Sequence, residues 1–144
     1  MTSQDKGHYS KKHSDEREVD PAIVMAIEDK ASDKKITCAG AFKIAENCGT
    51  TADEIGFTLD MLEIRIIRCQ MGIFGYEPEK KVVKPTENVP DELERAIRDK
   101  LADGKLTCAL AWEVARTLKI PKMNVSSACE KLGIKIKLCQ LGAF

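Results

Sequence analysis

The sequence predicts a mainly helical protein made of two tandem repeats, each with three helices followed by a short strand. The first observation behind this prediction is an internal duplication: residues 19–74 match residues 89–144 without a gap, with 19 identities over 56 positions. The second is that, in each copy, apolar residues recur at helical spacing and then change to the alternation of a strand. The duplication therefore defines the architecture.

We divide the chain into four parts on this basis. Residues 19–76 form repeat 1, residues 89–144 form repeat 2, and residues 77–88 are a charged, proline-containing linker. Residues 1–18 are polar and almost free of aliphatic side chains, which predicts a disordered tail. The tail holds both histidines, His8 and His13, but a disordered segment has no fixed geometry with which to bind a metal strongly.

The first helix of each repeat has a recognisable start. In repeat 1, Asp20 is a capping residue and Pro21 suits the first helical position. In repeat 2 the helix begins at Pro90, has acidic residues in its first turn, and is predicted to end at Gly104. The predicted buried positions are Ile23, Ala26 and Ile27 in repeat 1, and Leu93, Ala96, Ile97 and Leu101 in repeat 2.

The second helix is predicted to begin after Thr37 in repeat 1 and after Thr107 in repeat 2. Gly49 then permits a left-handed turn, whereas Lys119 and Pro121 in repeat 2 predict a different, wider turn. The apolar positions of this helix follow the spacing of a core face. They are Cys38, Ala41, Phe42, Ala45 and Cys48 in repeat 1, and Cys108, Ala111, Trp112, Ala115 and Leu118 in repeat 2.

The third helix of repeat 1 begins with a capping box at residues 51–54, which repeat 2 lacks. Residues 64–66 and 134–138 then alternate like strands. Because each repeat offers one strand, we expect the two strands to pair with each other in a small shared sheet. The repeats would then be related by a pseudo-twofold axis. A Gln-x-Gly-x-Phe sequence follows each strand, and we expect Phe74 and Phe144 to close the core of their own repeat.

Ala45, Gly49, Ile55 and Leu62 occupy the positions that a helix-turn-helix gives to its small helix-two residue, its turn glycine and its helix-three core. With the strand after the third helix, about 45 residues of each repeat resemble a winged helix-turn-helix domain. This resemblance implies that the protein binds DNA with its third helix in the major groove and that it regulates transcription.

The outward positions of the third helix differ in charge between the repeats. In repeat 1 they include Asp53, Gly56, Phe57, Asp60 and Glu63. The carboxylates of the three acidic residues among them would be repelled by phosphates. Repeat 2 offers a more suitable set, for which a solvated polar surface is the equally weighted alternative. The candidate nucleic-acid-binding residues are Lys122, Asn124, Ser126, Ser127, Lys131, Lys135 and Lys137.

Four of the six cysteines recur in both repeats, as Cys38, Cys69, Cys108 and Cys139. If they converged, they could bind a soft metal or form a redox disulfide. However, Cys38 and Cys108 lie on an apolar stripe, and a separation of 31 residues lacks the short loop typical of a metal site. The favoured interpretation is therefore structural thiols with no bound metal.

Composition and charge restrict the remaining possibilities. The chain has 23 basic and 23 acidic residues, but repeat 1 has 6 basic and 9 acidic ones, and repeat 2 has 10 and 7. No apolar run approaches the roughly 20 residues of a membrane span, and no signal peptide is seen, so we expect a cytoplasmic protein. No catalytic constellation or phosphate-binding loop is present, which argues against an enzyme and predicts no cofactor.

The leading hypothesis is a DNA-binding, transcription-regulator-like protein that contacts double-stranded DNA through repeat 2. A dimer could place two such repeats on a palindrome. The first alternative is a protein-interaction or adaptor module that keeps the helix-turn-helix shape without binding DNA, with a homodimer or a protein partner bound through the acidic repeat 1. The second alternative is a cysteine-based metal or redox sensor.

Overall fold

The computed structural model describes residues 17–144, so most of the predicted disordered tail, including His8 and His13, lies outside the described residues. The described chain is mainly helical, with six helices and four short strands. Repeat 1 contains α1 (Pro21–Lys30), β1 (Lys35–Thr37), α2 (Cys38–Cys48), α3 (Ala52–Met61) and β2 (Arg65–Ile67). Repeat 2 contains α4 (Asp91–Arg98), β3 (Lys105–Thr107), α5 (Cys108–Leu118), α6 (Lys122–Leu132) and β4 (Lys135–Lys137). The same order of elements occurs in both repeats, as the duplication predicts.

The helix starts follow the predicted capping residues. The Asp20 side chain accepts a hydrogen bond from the backbone N–H of Ala22, and Thr37 and Thr107 cap α2 and α5 in the same way. Thr51 accepts from the Glu54 N–H at the start of α3, whereas no side chain caps α6 after Pro121. Each cap satisfies a backbone donor that the first turn of a helix leaves without a partner.

The prediction of a sheet shared between the repeats is wrong. In repeat 1, β1 pairs with β2 in parallel, with Ile36 opposite Ile66, and in repeat 2, β3 pairs with β4 in parallel, with Leu106 opposite Ile136. The partner strand that the prediction lacked is the short run before each second helix. A parallel pair needs a long crossover, and the two helices between the strands supply it.

Two other local predictions are also wrong. Lys119 ends α5 at φ 56° and ψ 44°, close to the 62° and 38° of Gly49 at the end of α2, so the turns have the same conformation. Helix α4 ends at Arg98, well before Gly104. Residues 102–105 instead form a tight turn into β3, in which Asp103 and Gly104 both have positive φ.

The core of each repeat lies between its three helices and its strand pair. Most predicted apolar positions are buried, including Ile27, Ala41, Ile55 and the corresponding Ile97, Ala111 and Val125. The prediction for the end of α2 is wrong, because Cys48 is exposed and Ile44 is buried. The buried stripe of α2 therefore passes through the position four residues before Cys48, and the last turn faces solvent.

The chain forms two compact units whose boundaries differ from those of the repeats. Among the described residues, unit 1 contains residues 17–69 together with Gln140–Phe144, and unit 2 contains Gln70–Cys139. The two Gln-x-Gly-x-Phe sequences, which we call the QMGIF segment (70–74) and the QLGAF segment (Gln140–Phe144), are therefore exchanged between the repeats. The prediction that each segment closes the core of its own repeat is wrong.

In both repeats the chain leaves its own repeat at the same point. Arg68 and Leu138 occupy equivalent positions directly after β2 and β4, and both have left-handed backbones, at φ 51° and 53°. Side-chain-bearing residues rarely adopt this conformation, which costs about 1–2 kcal/mol. It turns the chain out of the strand direction. The next apolar residue of each segment, Met71 or Leu141, is buried at 1% and 2% exposure.

Candidate nucleic-acid interface

The predicted nucleic-acid-binding residues lie on α6 and β4, but they do not form one exposed surface. Ser126 is buried at 1% exposure, and Ser127 is half-buried. Lys122 and Lys137 are also half-buried, whereas Asn124, Lys131 and Lys135 are exposed. The middle of the α6 face, where base contacts would have to be made, is the part that is covered.

Residues 72–86 cover this face of α6. The Ser127 hydroxyl donates to the Lys84 carbonyl at 2.5 Å, and the Thr86 N–H donates to the Ser127 carbonyl at 3.3 Å. Lys81 forms an ion pair with Glu130, with 2.5 Å between Nζ and Oε1. Three residues of this segment therefore contact α6: Lys84 and Thr86 through hydrogen bonds to Ser127, and Lys81 through its ion pair.

The QMGIF segment continues the cover toward the start of α6. The Gly72 carbonyl accepts from the N–H groups of both Val82 and Val83, which folds residues 72–83 back on themselves. A Cβ atom on Gly72 would lie 3.1 Å from the Met123 side chain and 3.1 Å from that of Val83. Gly72 also has φ 73°, so this position needs glycine for both backbone conformation and space.

Lys122, at the start of α6, is engaged with an aromatic ring. Its Nζ lies 4.5 Å from the centroid of the Trp112 ring, which is the geometry of a cation–π contact. A lysine held in this way is a weaker candidate for a phosphate contact than Lys131 or Lys135, whose side chains extend into solvent.

Two cavities adjoin the covered face. One of about 170 Å³ is lined by Ile73, Lys81, Ser126, Cys129, Glu130, Ile134, Lys135 and Ile136. The hydroxyl of Ser126 is buried there without a hydrogen-bond partner among the described residues. The other, of about 360 Å³, is lined by Thr86, Asn88, Pro90, Glu92, Leu93, Leu118, Ile120, Asn124 and Ser127. No cation lines the larger cavity, so it is not suited to a phosphate group.

The outward face of the third helix of repeat 1 is also buried, but by different residues. Gly56, Phe57 and Asp60, which the sequence places on the outward face, are all buried. A Cβ atom on Gly56 would overlap the backbone carbonyl of Leu141 in the QLGAF segment. We call the surface of α3 around Gly56 the α3 groove. It admits the backbone of the QLGAF segment because position 56 has no side chain.

Arg17 covers the other end of the α3 surface. Its guanidinium carbon lies 3.9 Å from the centroid of the Phe57 ring, and its Nη2 forms ion pairs with Asp53 at 3.1 Å and Glu54 at 2.9 Å. The hydrogen bond to Glu54 is the main reason that the pKa of Arg17 is raised. The contact neutralises acidic residues at the start of α3 and shields Phe57 from solvent.

The cysteines do not form a metal site within the described residues. None of the six forms a disulfide, and residues 17–144 contain no group of three or more His, Cys, Asp or Glu side chains placed to hold a metal ion. Cys38, Cys69 and Cys108 are buried, and Cys139 is partly exposed. Burial, with a smaller effect of Glu130, raises the pKa of the Cys129 thiol to about 11, which is the behaviour of an unreactive core thiol.

Sequence analysis missed the residues that cover the third helices. Lys81, Lys84 and Thr86 were assigned to a linker, and Arg17 to the disordered tail. The available signal was the repeated Gln-x-Gly-x-Phe, because a glycine conserved between the copies indicates a special backbone conformation or a close approach. The missing side chain at Gly56 was a second such signal.

Comparison of the chain with protein-family models, with curated proteins and with solved structures finds no match. Among the described residues, no helix is both long enough and apolar enough to cross a membrane.

Proposed function

We propose that this chain is a protein-interaction module in which the outward surface of the third helix binds a short chain segment instead of DNA. The observation that carries the proposal is the burial of this surface in both units, on α3 by the QLGAF segment and on α6 by residues 72–86. Part of the cover, the QMGIF and QLGAF segments, is repeated sequence, and this repetition supports a role for the contact; the rest of the α6 cover comes from the linker.

Burial of the third helices argues against sequence-specific DNA recognition through them. A recognition helix must present several side chains to base edges in the major groove. Ser126 is buried and Ser127 is hydrogen-bonded to the covering segment, so the remaining exposed candidates are Asn124, Lys131 and Lys135. Two lysines could contribute only a weak, salt-dependent phosphate attraction.

The α3 groove suggests what kind of segment it binds. Leu141 supplies a buried apolar anchor, and the chain can approach α3 closely because Gly56 has no side chain. Gly142, at φ 81°, then turns the chain. The matching segment in unit 2 has Met71 and Gly72 at the same positions. We infer a preference for a large aliphatic residue followed by glycine and, two positions later, by an aromatic residue.

We also propose that each repeat derives from a winged helix-turn-helix domain. In each repeat the second and third helices are joined by a three-residue turn, at 49–51 and 119–121, with a left-handed residue first. This connection supports the resemblance to a helix-turn-helix. The parallel pairing of the strands takes the place of the hairpin that a typical wing would contribute.

A further partner could bind α1 of the acidic repeat 1, as the second part of the interaction proposal. Met25 is 74% exposed, and Glu28 and Asp29 beside it are exposed as well. The equivalent residue in repeat 2 is Arg95, so the repeated fold does not require a methionine there. A partner that contacts this helix would need an apolar side chain flanked by basic residues.

Two measurements test the proposed function. A full-length Leu141→Asp variant should release the QLGAF segment, because a buried carboxylate is strongly unfavourable, and should then bind a labelled peptide of sequence QLGAF. A Leu141→Asp/Gly56→Leu double variant, in which the groove is filled, is the matched control and should not bind. Fluorescence anisotropy measures both. Equal binding by the two variants would refute recognition by the α3 groove.

A gel-shift titration at low ionic strength tests the competing DNA hypothesis. We expect no retardation of double-stranded DNA by the wild-type chain beyond weak association that salt abolishes. Retardation that depends on DNA sequence and is lost in a Ser127→Ala or Asn124→Ala variant would overturn the proposal. Lys43→Ala on α2 serves as a control, because it removes an exposed lysine far in sequence from the predicted DNA-binding residues.

A further inference from the structure

We infer that the QLGAF segment can leave the α3 groove of its own chain and occupy the α3 groove of a second copy, so that two chains form a dimer by exchanging this segment. The inference rests on the proposed function, since it requires the α3 groove to bind a chain segment, and it identifies the partner as a second copy. The groove, the segment and the connection between them each contribute to the argument.

The connection between β4 and the QLGAF segment is short and strained. Residues 137–139 carry the chain from β4 in unit 2 to the QLGAF segment in unit 1. Leu138 in this connection has φ 53° and is 62% exposed. An exposed leucine in a left-handed conformation is unfavourable for the backbone and contributes little burial in return. Opening the connection would release this strain, which favours exchange between copies.

The contact between the α3 groove and the QLGAF segment is local. Leu141 is almost fully buried, and its carbonyl lies where a Cβ atom on Gly56 would be. This close contact lies between the QLGAF segment and the surface of α3, both of which a second chain provides unchanged. A segment of five residues is short enough to separate without unfolding either strand pair, because β4 ends at Lys137.

The closed monomer competes with the exchanged dimer. The two forms contain the same contacts between groove and segment, so their free energies differ only by the strain at the connection and by the entropy of association. An intramolecular segment on a short connection has an effective concentration of about 1 mM. The closed form therefore dominates in dilute solution, and the dimer accumulates as the protein concentration approaches about 1 mM.

Complementation between two full-length variants tests the exchange. Leu141→Asp disables the segment and leaves the groove, whereas Gly56→Leu fills the groove and leaves the segment. Neither variant can form the contact within one chain or with its own copy, so each should remain monomeric. An equimolar mixture can form one contact per pair, and we expect a heterodimer at a concentration roughly tenfold below that at which the wild type dimerises.

Sedimentation velocity measures these masses, and circular dichroism establishes that each variant keeps its helices. A mixture that stays monomeric, with QLGAF peptide still binding to Leu141→Asp, would overturn the exchange while leaving the proposed function intact. Absence of both heterodimer and peptide binding would overturn both.

A third full-length variant keeps the inference testable if a groove variant does not fold. Leu138→Gly removes the cost of the left-handed conformation from the closed monomer. The dimerisation constant of this variant should therefore be roughly tenfold weaker than that of the wild type. Arg68→Gly, at the equivalent position of repeat 1, is the matched control and leaves the connection to the QLGAF segment unchanged. An unaltered dimer constant in Leu138→Gly would refute the role of the strained connection.

Discussion

Gly56 has no room for a side chain, because the Leu141 carbonyl occupies the space that a Cβ atom would need. A Gly→Ala change inside a helix normally stabilises it by about 0.5–1 kcal/mol. At Gly56 the overlap is with backbone, which cannot rotate away, and overpacking of this kind costs about 1–3 kcal/mol. Steric overlap therefore outweighs helix propensity at this position.

We expect Gly56→Ala to lower the free energy of unfolding by about 1–2 kcal/mol and to increase hydrogen exchange in residues 140–144. Gly49→Ala is the control, because its added Cβ meets nothing within 4 Å and only the left-handed backbone at φ 62° is penalised. Urea denaturation and mass-spectrometric exchange measure both effects. Stabilisation by Gly56→Ala would show that the QLGAF segment does not approach α3 closely.

Cys129 and Cys48 differ in burial, and we expect the difference to appear in their chemistry. The pKa of Cys129 is raised from 9.0 to about 11, so the folded state keeps its proton where the unfolded state loses it. Stability from this group is complete below pH 9 and is lost as the pH rises toward about 11. Chemical denaturation at pH 8, 9, 10 and 11 should show a smaller decline in Cys129→Ala than in the wild type.

Thiol labelling provides an independent check on the same residues. Exposed Cys48 should react with a disulfide reagent in the folded protein, whereas buried Cys129 should react only after unfolding. A Cys48→Ser variant identifies the fast phase. Rapid labelling of Cys129 in the folded protein would contradict its place in the core.

At the scale of elements, the two turns that follow α2 and α5 form a natural pair of experiments. Gly49 and Lys119 have nearly the same left-handed backbone, although only glycine adopts it without cost. Lys119→Gly should raise the free energy of unfolding by about 1 kcal/mol, and Gly49→Lys should lower it by about the same amount. Thermal denaturation of both variants, with Lys43→Gly inside α2 as a destabilising control, tests the prediction.

The same turns show how far the sequence could predict the elements. Helix starts at Asp20, Thr37 and Thr107 were predictable because a cap is a local interaction between neighbouring residues. The turn at Lys119 was not, since a lysine rarely adopts the left-handed conformation with which it ends α5. The strands β1 and β3 were missed because each has three residues and runs directly into a helix, which leaves no alternating pattern to detect.

At the scale of the whole molecule, the duplication predicted the order of the elements but not which repeat binds which segment. Residues 70–74 and 140–144 share Gln, Gly and Phe, so either segment is chemically suited to either third helix. Arg68 and Leu138, where the chain leaves the two strands, both have left-handed backbones, and neither residue type indicates such a conformation. The covered face of α6 was hidden for the same reason, since its cover begins with the QMGIF segment.

Because each of these segments lies in the unit of the other repeat, we expect a mutation in one repeat to destabilise the third helix of the other. Leu141→Ala should cost about 3 kcal/mol in unit 1 and accelerate hydrogen exchange in α3 roughly a hundredfold, while α6 in its own repeat stays protected. Met71→Ala is the matched variant, and it should loosen α6 while α3 stays protected, because Met71 is buried in unit 2. Mass-spectrometric hydrogen exchange resolves residues 52–61 from residues 122–132. Faster exchange in the third helix of the mutated repeat itself would mean that each segment closes its own repeat, and the exchanged arrangement would then have to be abandoned.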